Sequence, residues 1–246
     1  MMEKHPGSLF VTMTNAKMNI TAVIPAGGSG RRMQSSKAKQ YLLLQGIPLL
    51  VHTLRTFQET SVIRNIILVV PAADVAGIQS DIVDAFAMTK IRQVVAGGKE
   101  RQDSVRNGLA VLPADCEIVL IHDAARPFVS PALIEKAVNG AVREGAIAVG
   151  VRARDTVKHC DGEGRVIDTL DREQIWMAQT PQAFRRATIV AAHQKAQEDS
   201  FYGTDDAALV ERMGIPVRMI EGFSDNIKIT STEDLAWAEY RLSKRK

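Results

Sequence analysis

Cysteine is nearly absent from this chain of 246 residues: Cys116 and Cys160 are all it has. They lie far apart, show no metal-ligand spacing and lay out no disulfide framework. A thiolate metal site and a stapled secreted fold are therefore excluded, and a reducing cytoplasm is the default setting. Charge imbalance is missing too. The 31 Lys and Arg against 28 Asp and Glu leave only +3. That is too little for a surface that coats nucleic acid, so any basic cluster is local. No apolar run approaches the ~20 residues that a membrane-spanning helix needs. Internal repeats and low-complexity tracts are absent as well.

What is present is ordinary for a globular enzyme. Hydrophobic residues make up 46% and charged residues 24%, and the length suits one large α/β domain or two small ones. Residues 1–18 carry Met1, Met2, Met13 and Met18 without a long apolar core. They are expected to form a loose extension, with no secretory signal.

The most informative stretch runs from Ile20 to Gln45. A short apolar run, Ile20 to Ile24, ends at Pro25. Ala26-Gly27-Gly28-Ser29-Gly30 follow, then Arg31, Arg32, Lys37 and Lys39. The run has the length and β-branched content of a strand. Glycines directly after a strand let the backbone bend and approach a ligand closely. Exposed amides together with cations suit a polyphosphate. A P-loop would close with Gly-Lys-Ser/Thr, but Arg31-Arg32 follow Gly30. A dinucleotide fingerprint would need a third glycine where Met33 stands.

The remainder alternates strands with helices. Strands are expected at Asn65–Val70, Ile91–Ala96, Glu117–Ile121 and Ala146–Val151. Helices are expected at Ile47–Thr60, Asp74–Ala87, Gln102–Leu112 and from Pro131 to Arg143, with Ser130 as N-cap. This rhythm implies a mostly parallel, Rossmann-like sheet with helices on both faces. It breaks at 152–175, a polar stretch that turns at Asp161-Gly162-Glu163-Gly164 and reads as a hairpin arm. An arm with so little apolar material of its own must pack on something, and a second subunit is the natural partner. Core material resumes at Trp176–Phe184. Helices are expected at Ala187–Gln197 and Asp205–Met213 (Thr204 as cap), a strand at Pro216–Ile220, and a last helix after Ser231, with Asp234 completing its capping box. The organisation expected is an extension over 1–18 and one domain over 19–246 with the arm inserted.

Three loops follow strand ends: residues 26–39, 97–101 and 123–126. In an open parallel sheet such loops share one edge, where ligands bind. PAGGSGRRM then KQYL resembles the signature loop of sugar-nucleotide pyrophosphorylases. Taken in order with GGKERQDSV, HDAARP, RDTVK, MAQTPQAF and DNIKIT, it resembles the 2-C-methyl-D-erythritol 4-phosphate cytidylyltransferase family over residues 20–240. The resemblance implies cytidylyl transfer from CTP to methylerythritol phosphate, with Mg²⁺ (or another divalent cation), in the cytoplasm, by a homodimer that engages neither nucleic acid nor membrane. Its ribitol-5-phosphate relatives use the same CTP machinery and remain an alternative acceptor class. A nicotinamide-dependent oxidoreductase is the alternative of another class, and a catalytically silent nucleotide-binding protein a third.

By the same resemblance, Arg32, Lys39 and Lys228 are the catalytic cations. Ala26, Gly27, Gly28, Gly30, Gly98, Ser104 and Asp123 hold the nucleotide, and Asp123 also faces the metal, which is held mainly by the CTP phosphates. Arg126, Thr156, Arg172, Thr180 and Thr204 hold the acceptor, with Thr156 and Arg172 reaching it from the arm of the partner subunit. Lys37 and the side chain of Lys99 are left outside the site. Arg31 is balanced between the pocket and packing outside it, Asp103 is expected to cap its helix, and His122 to pack at the strand end. The acceptor phosphate is already ionised at neutral pH, so the chemistry needs positioning and charge neutralisation and no general base.

Overall fold

The computed structural model of the chain describes residues 18–27 and 39–244, with the backbone alone at Lys39. Strand β1, Asn19–Pro25, alternates its side chains between two buried faces. Ile20, Ala22 and Ile24 enter one core and Val23 the other, as period-2 geometry requires. A short 3₁₀ turn, Lys39–Tyr41, leads to the two-residue strands β2 (Leu43–Leu44) and β3 (Ile47–Pro48). Helix α1, Leu49–Glu59, then starts after Pro48, whose fixed φ suits that position. Strand β4, Asn65–Val70, is buried at every residue. Its unbroken apolar run matches a parallel strand covered on both faces.

The helix expected over Asp74–Ala87 is not continuous. A 3₁₀ turn at Ala72–Asp74 leads into the four-residue α2, Val75–Ile78, and then a π turn over Gln79–Asp84. Gly77 lies inside this stretch, and Ser80 Oγ bonds back to the Gly77 carbonyl at 3.0 Å. Both features loosen the regular i→i−4 ladder. Ile78, Ile82 and Val83 are nevertheless buried, so the apolar spacing served packing without dictating one helix.

Strand β5, Ile91–Ala96, is followed by α3, Arg101–Ala110, then β6, Cys116–Ile121, and α4, Pro131–Glu144. Ser130 caps α4 through the Leu133 amide, as its sequence position implied. Strand β7, Ala146–Arg152, leads into the hairpin β8 (Val157–Cys160) and β9 (Val166–Leu170), which form their own two-stranded sheet. Strand β10, Trp176–Arg185, returns to the main sheet, followed by α5 (Arg186–Glu198), α6 (Asp206–Arg212), β11 (Arg218–Glu221) and α7 (Thr232–Ser243). Ser231 and Asp234 close the expected capping box on α7. The cap of α6 is a correction: Asp205, not Thr204, accepts from the Ala208 amide at 2.9 Å, and its other oxygen takes the Gln182 side chain. A carboxylate that serves both partners outcompetes the hydroxyl one residue earlier.

The main sheet runs β11-β7-β10-β6-β1-β4-β5. All neighbours are parallel except β10, which runs antiparallel between β6 and β7. Helices α1 and α4 cover one face through Leu54, Phe57, Leu133 and Ala137. Helices α3, α5 and α6 cover the other through Val105, Ile189 and Val210. Side chains of this size contribute about 1.5–3 kcal/mol each when fully buried. Helix α7 joins Leu44, Leu49 and Phe128 in a third cluster that holds the chain's end against the β6 loop. Among the described residues no helix is long and apolar enough to cross a membrane.

Candidate active site

The strand order reverses around β1, with β4 on one side and β6 on the other, which places a crevice at its carboxyl end. The backbone there is tied down on both sides. The Ala26 amide donates to Val69 O at 2.7 Å, and the Ala124 amide to Pro25 O at 3.3 Å. Gly28, Gly30 and Arg32, and the side chain of Lys39, lie outside the described residues.

The loop after β5 reaches the same crevice. The Gly98 amide donates to Ser104 Oγ at 3.1 Å, and that hydroxyl donates to Glu100 O at 3.1 Å. A Cβ on Gly97 would come within 2.8 Å of Ser104 Oγ, and one on Gly98 would run into the Cβ of Asp103. Close approach to the first turn of α3 is therefore what demands glycine here. Gly27 sits opposite, 3.7 Å from Ser104 Oγ at its would-be Cβ. Asp103 caps the helix as expected, accepting from the Glu100 amide at 3.1 Å.

The third loop holds Asp123, at the end of β6. Its carboxylate accepts from Arg101 Nε at 2.8 Å on one oxygen and from Lys228 Nζ at 2.6 Å on the other. Burial alone would push its pKa up. The guanidinium and the ammonium overcome that and hold it well below the usual carboxylate range. The Asp123 amide donates to Thr180 Oγ1 at 3.1 Å. That hydroxyl in turn donates to His122 Nδ1 at 3.1 Å, because Nε2 is committed as donor to the Arg126 carbonyl, an obligate acceptor. His122 packs against Phe57 with the rings tilted by 48° and their centroids 5.1 Å apart, and burial pushes its pKa down to about 4. It is a neutral packing element of the strand end, as its place in the sequence suggested.

The segment that carries Lys228 is fastened to this edge. The Asn226 side chain donates to Thr180 O at 2.8 Å, and the Ile229 amide to Ala125 O at 2.8 Å. Arg126 donates to Asn226 O at 2.7 Å, while its Nε is buried with no partner among the described residues. Asp123, Thr180, Lys228 and Arg126 thus converge from three stretches of chain. Gly98 and Ser104 join them across the crevice. Thr156 and Arg172 lie in the exposed arm, where Arg172 donates to Arg154 O at 3.0 Å, and Thr204 is exposed ahead of α6.

One participant was not singled out from the sequence. Arg101, the first residue of α3, bonds Asp123 with Nε and Asp206 with Nη1, both at 2.8 Å. Burial would lower its pKa, and the two carboxylates more than reverse that. Its signal was its place, directly after the Gly97-Gly98 turn in a loop already assigned to the site edge. Around the crevice Arg101, Arg126 and Lys228 supply three positive charges against the two of Asp123 and Asp206, a net +1 that favours an anion. Among the described residues no cluster of three or more His, Cys, Asp or Glu side chains could hold a metal ion by itself. The donor set fits a cation carried mainly by phosphate oxygens, with the Asp123 carboxylate on the crevice edge to meet it.

The chain matches a family model described as "IspD: 2-C-methyl-D-erythritol 4-phosphate cytidylyltransferase" over residues 20–244. It is 52% identical over 228 residues to the protein of that name from Syntrophus aciditrophicus, covering 93% of this chain and 97% of the other. A protein of the same name from Alkaliphilus metalliredigens is 42% identical over 227 residues, covering 92% and 94%. Among solved structures, 4-diphosphocytidyl-2C-methyl-D-erythritol synthase from Anaerococcus prevotii superposes with a TM-score of 0.81 at 33% identity, covering 92% of this chain and 99% of that one. The 2-C-methyl-D-erythritol 4-phosphate cytidylyltransferase of Thermus thermophilus does so with a TM-score of 0.75 at 31% identity, covering 92% and 100%.

Proposed function

The chain belongs to the 2-C-methyl-D-erythritol 4-phosphate cytidylyltransferase family, and from that premise we propose how its residues divide the work. The enzyme transfers the cytidylyl group of CTP to 2-C-methyl-D-erythritol 4-phosphate in isoprenoid precursor synthesis. A phosphate oxygen of the acceptor forms a bond to the α-phosphorus as the bond to the bridging oxygen of pyrophosphate breaks. The products are 4-diphosphocytidyl-2-C-methyl-D-erythritol and pyrophosphate. No proton has to leave the nucleophile, so the protein's share is placement and neutralisation of charge.

Lys228 stands between acceptor phosphate and α-phosphate. Its ammonium pairs with Asp123, and an incoming phosphate can draw it away while Arg101 keeps the carboxylate satisfied. Arg32 and Lys39 act on the triphosphate from the β1 loop. Ala26, Gly27, Gly28, Gly30, Gly98 and Ser104 form the nucleotide cradle, and Arg126, Thr180 and Thr204 the acceptor side. Asp123 would hold a Mg²⁺ carried mainly by the CTP phosphates, and such an ion would neutralise charge that builds on the departing pyrophosphate. The enzyme works as a cytoplasmic homodimer through the arm. Val166, Ile167 and Met177 are 57%, 59% and 57% exposed, an apolar surface that a second copy would cover. Thr156 and Arg172 would then serve the partner's acceptor site.

The observation that carries this reading is the ion chain Arg101–Asp123–Lys228 at the carboxyl edge of the sheet. The test is pyrophosphate release from CTP and Mg²⁺ with methylerythritol phosphate and with ribitol 5-phosphate offered separately. Turnover with the first acceptor, abolished by chelation, is the expected result. Turnover with ribitol 5-phosphate alone, or with neither, overturns it.

A further inference from the structure

The ion chain does not stop at Arg101. Asp206, the first residue of α6, is only 1% exposed, and its two oxygens are both taken: Oδ2 by Arg101 Nη1 at 2.8 Å, Oδ1 by His193 Nε2 at 3.0 Å. His193, on α5, is 2% exposed and must carry its proton on Nε2, since a carboxylate only accepts. The cytidylyl-transfer scheme above uses neither residue, yet a buried carboxylate is costly to keep without a task.

We propose that Asp206, held by His193, is a positioning residue for cytidylyl transfer, anchoring Arg101 Nη1 so that the guanidinium cannot turn its end onto Asp123 and Asp123 keeps an oxygen for Lys228. The reasoning rests on the reading of Lys228 and Asp123 given under Proposed function. A guanidinium beside one carboxylate tends to bind it with two parallel N–H bonds. Here neither parallel pair is made on Asp123: Nε goes to Asp123, and Nη1, a prong of the end-on pair, is held by Asp206. Asp123 therefore meets Arg101 through one oxygen only, and its second oxygen receives Lys228 at 2.6 Å. Remove the charge of Asp206 and Nη1 is released, so the Arg101 guanidinium can turn its Nη1–Nη2 end onto both oxygens of Asp123. Lys228 then loses the group that sets its ammonium in place. The device links α5, α6, α3, the loop after β6 and the 226–229 segment through one line of hydrogen bonds and ion pairs.

A role in folding alone would also explain a buried pair, so the test needs a readout that folding does not move. That readout is a double-mutant cycle in kcat between Asp206→Asn and Lys228→Ala. If Asp206 acts through Asp123 on Lys228, Asp206→Asn lowers kcat about tenfold or more, with little change in KM for CTP, and costs almost nothing further once Lys228 is alanine. Equal factors in both backgrounds would overturn the proposal. His193 gives a second line, and the one to use should Asp206→Asn not fold by circular dichroism. His193→Gln, whose amide can still donate to Asp206, should keep most of the turnover, and His193→Leu should lose several-fold and fail to add to Lys228→Ala. Identical kcat values for the Gln and Leu variants would refute the relay. Wild-type enzyme that releases no pyrophosphate from CTP would instead remove the reading on which the proposal stands.

Discussion

Lys228→Ala separates a catalytic cation from a structural peg, because the two roles predict opposite pairs of numbers. The Lys228 side chain is 35% exposed and pairs with Asp123, which is 9% exposed. Asp123 keeps its bond to Arg101 when the lysine is gone, so no buried carboxylate is stranded. The stability at stake is therefore that of a partly exposed pair, about 1 kcal/mol or less. In a domain of this size that corresponds to a Tm shift of roughly 2–4 °C. Catalysis should respond on another scale. Deleting one preorganised group aimed at developing charge lowers kcat by ~10²–10³, equivalent to about 3–4 kcal/mol in the barrier. The assay is pyrophosphate release at saturating CTP and acceptor, with a thermal melt of the same sample. A kcat near that of the wild type, alongside a Tm lowered by far more than the few degrees allowed for, would show that Lys228 clamps the fold and would refute the reasoning.

Three further outcomes are expected. His122 is neutral and held down to about 4 by burial, below its unfolded value of ~6.5. Its contribution is complete above that unfolded value and is lost as pH falls towards the folded one, up to about 3 kcal/mol. His122→Gln should therefore flatten the fall in urea-derived stability across this window, and an unchanged slope would show that another group sets it. Gly98→Ala drives a methyl into Asp103 and should cost about 1–3 kcal/mol in stability. It should also weaken CTP binding, measured by calorimetry, and a variant with wild-type values in both would mean that the close approach is not real. On the arm-mediated homodimer proposed above, Ile167→Lys, at a 59% exposed position of the arm, should shift the sedimenting species towards monomer and raise KM for the acceptor more than for CTP. An unchanged sedimentation profile would remove the arm from the interface.

Local patterns carried much of the fold because their cause is local. The apolar run of β4 fixes its strand to the residue, Asn65–Val70, and the edge strand β5, Ile91–Ala96, matches its expected bounds too, with Arg92 and Gln93 exposed. The β4 run, buried at every residue, is what a parallel strand covered on both faces requires. Ser130 with Pro131, and Ser231 with Asp234, announced two helix starts, since a cap satisfies amides within its own turn. Where rival local interactions compete, the pattern misled. The 74–87 stretch kept its buried spacing but split at Gly77 and Ser80, and Asp205 displaced Thr204 as a cap.

The sequence by itself determined the order of the motifs, the alternation of strands with helices and the chemical character of the loops, because each depends on neighbours a few residues apart. Only the tertiary structure decided which distant groups would touch. It set antiparallel β10 between β6 and β7, which brings Thr180 beneath Asp123. It also carried Arg101 to Asp206, 105 residues further along the chain. No periodicity encodes that pairing. It follows from the stacking of α3, α5 and α6 on the same face of the sheet, where a buried charge has to find its counterion among whatever side chains that stacking delivers.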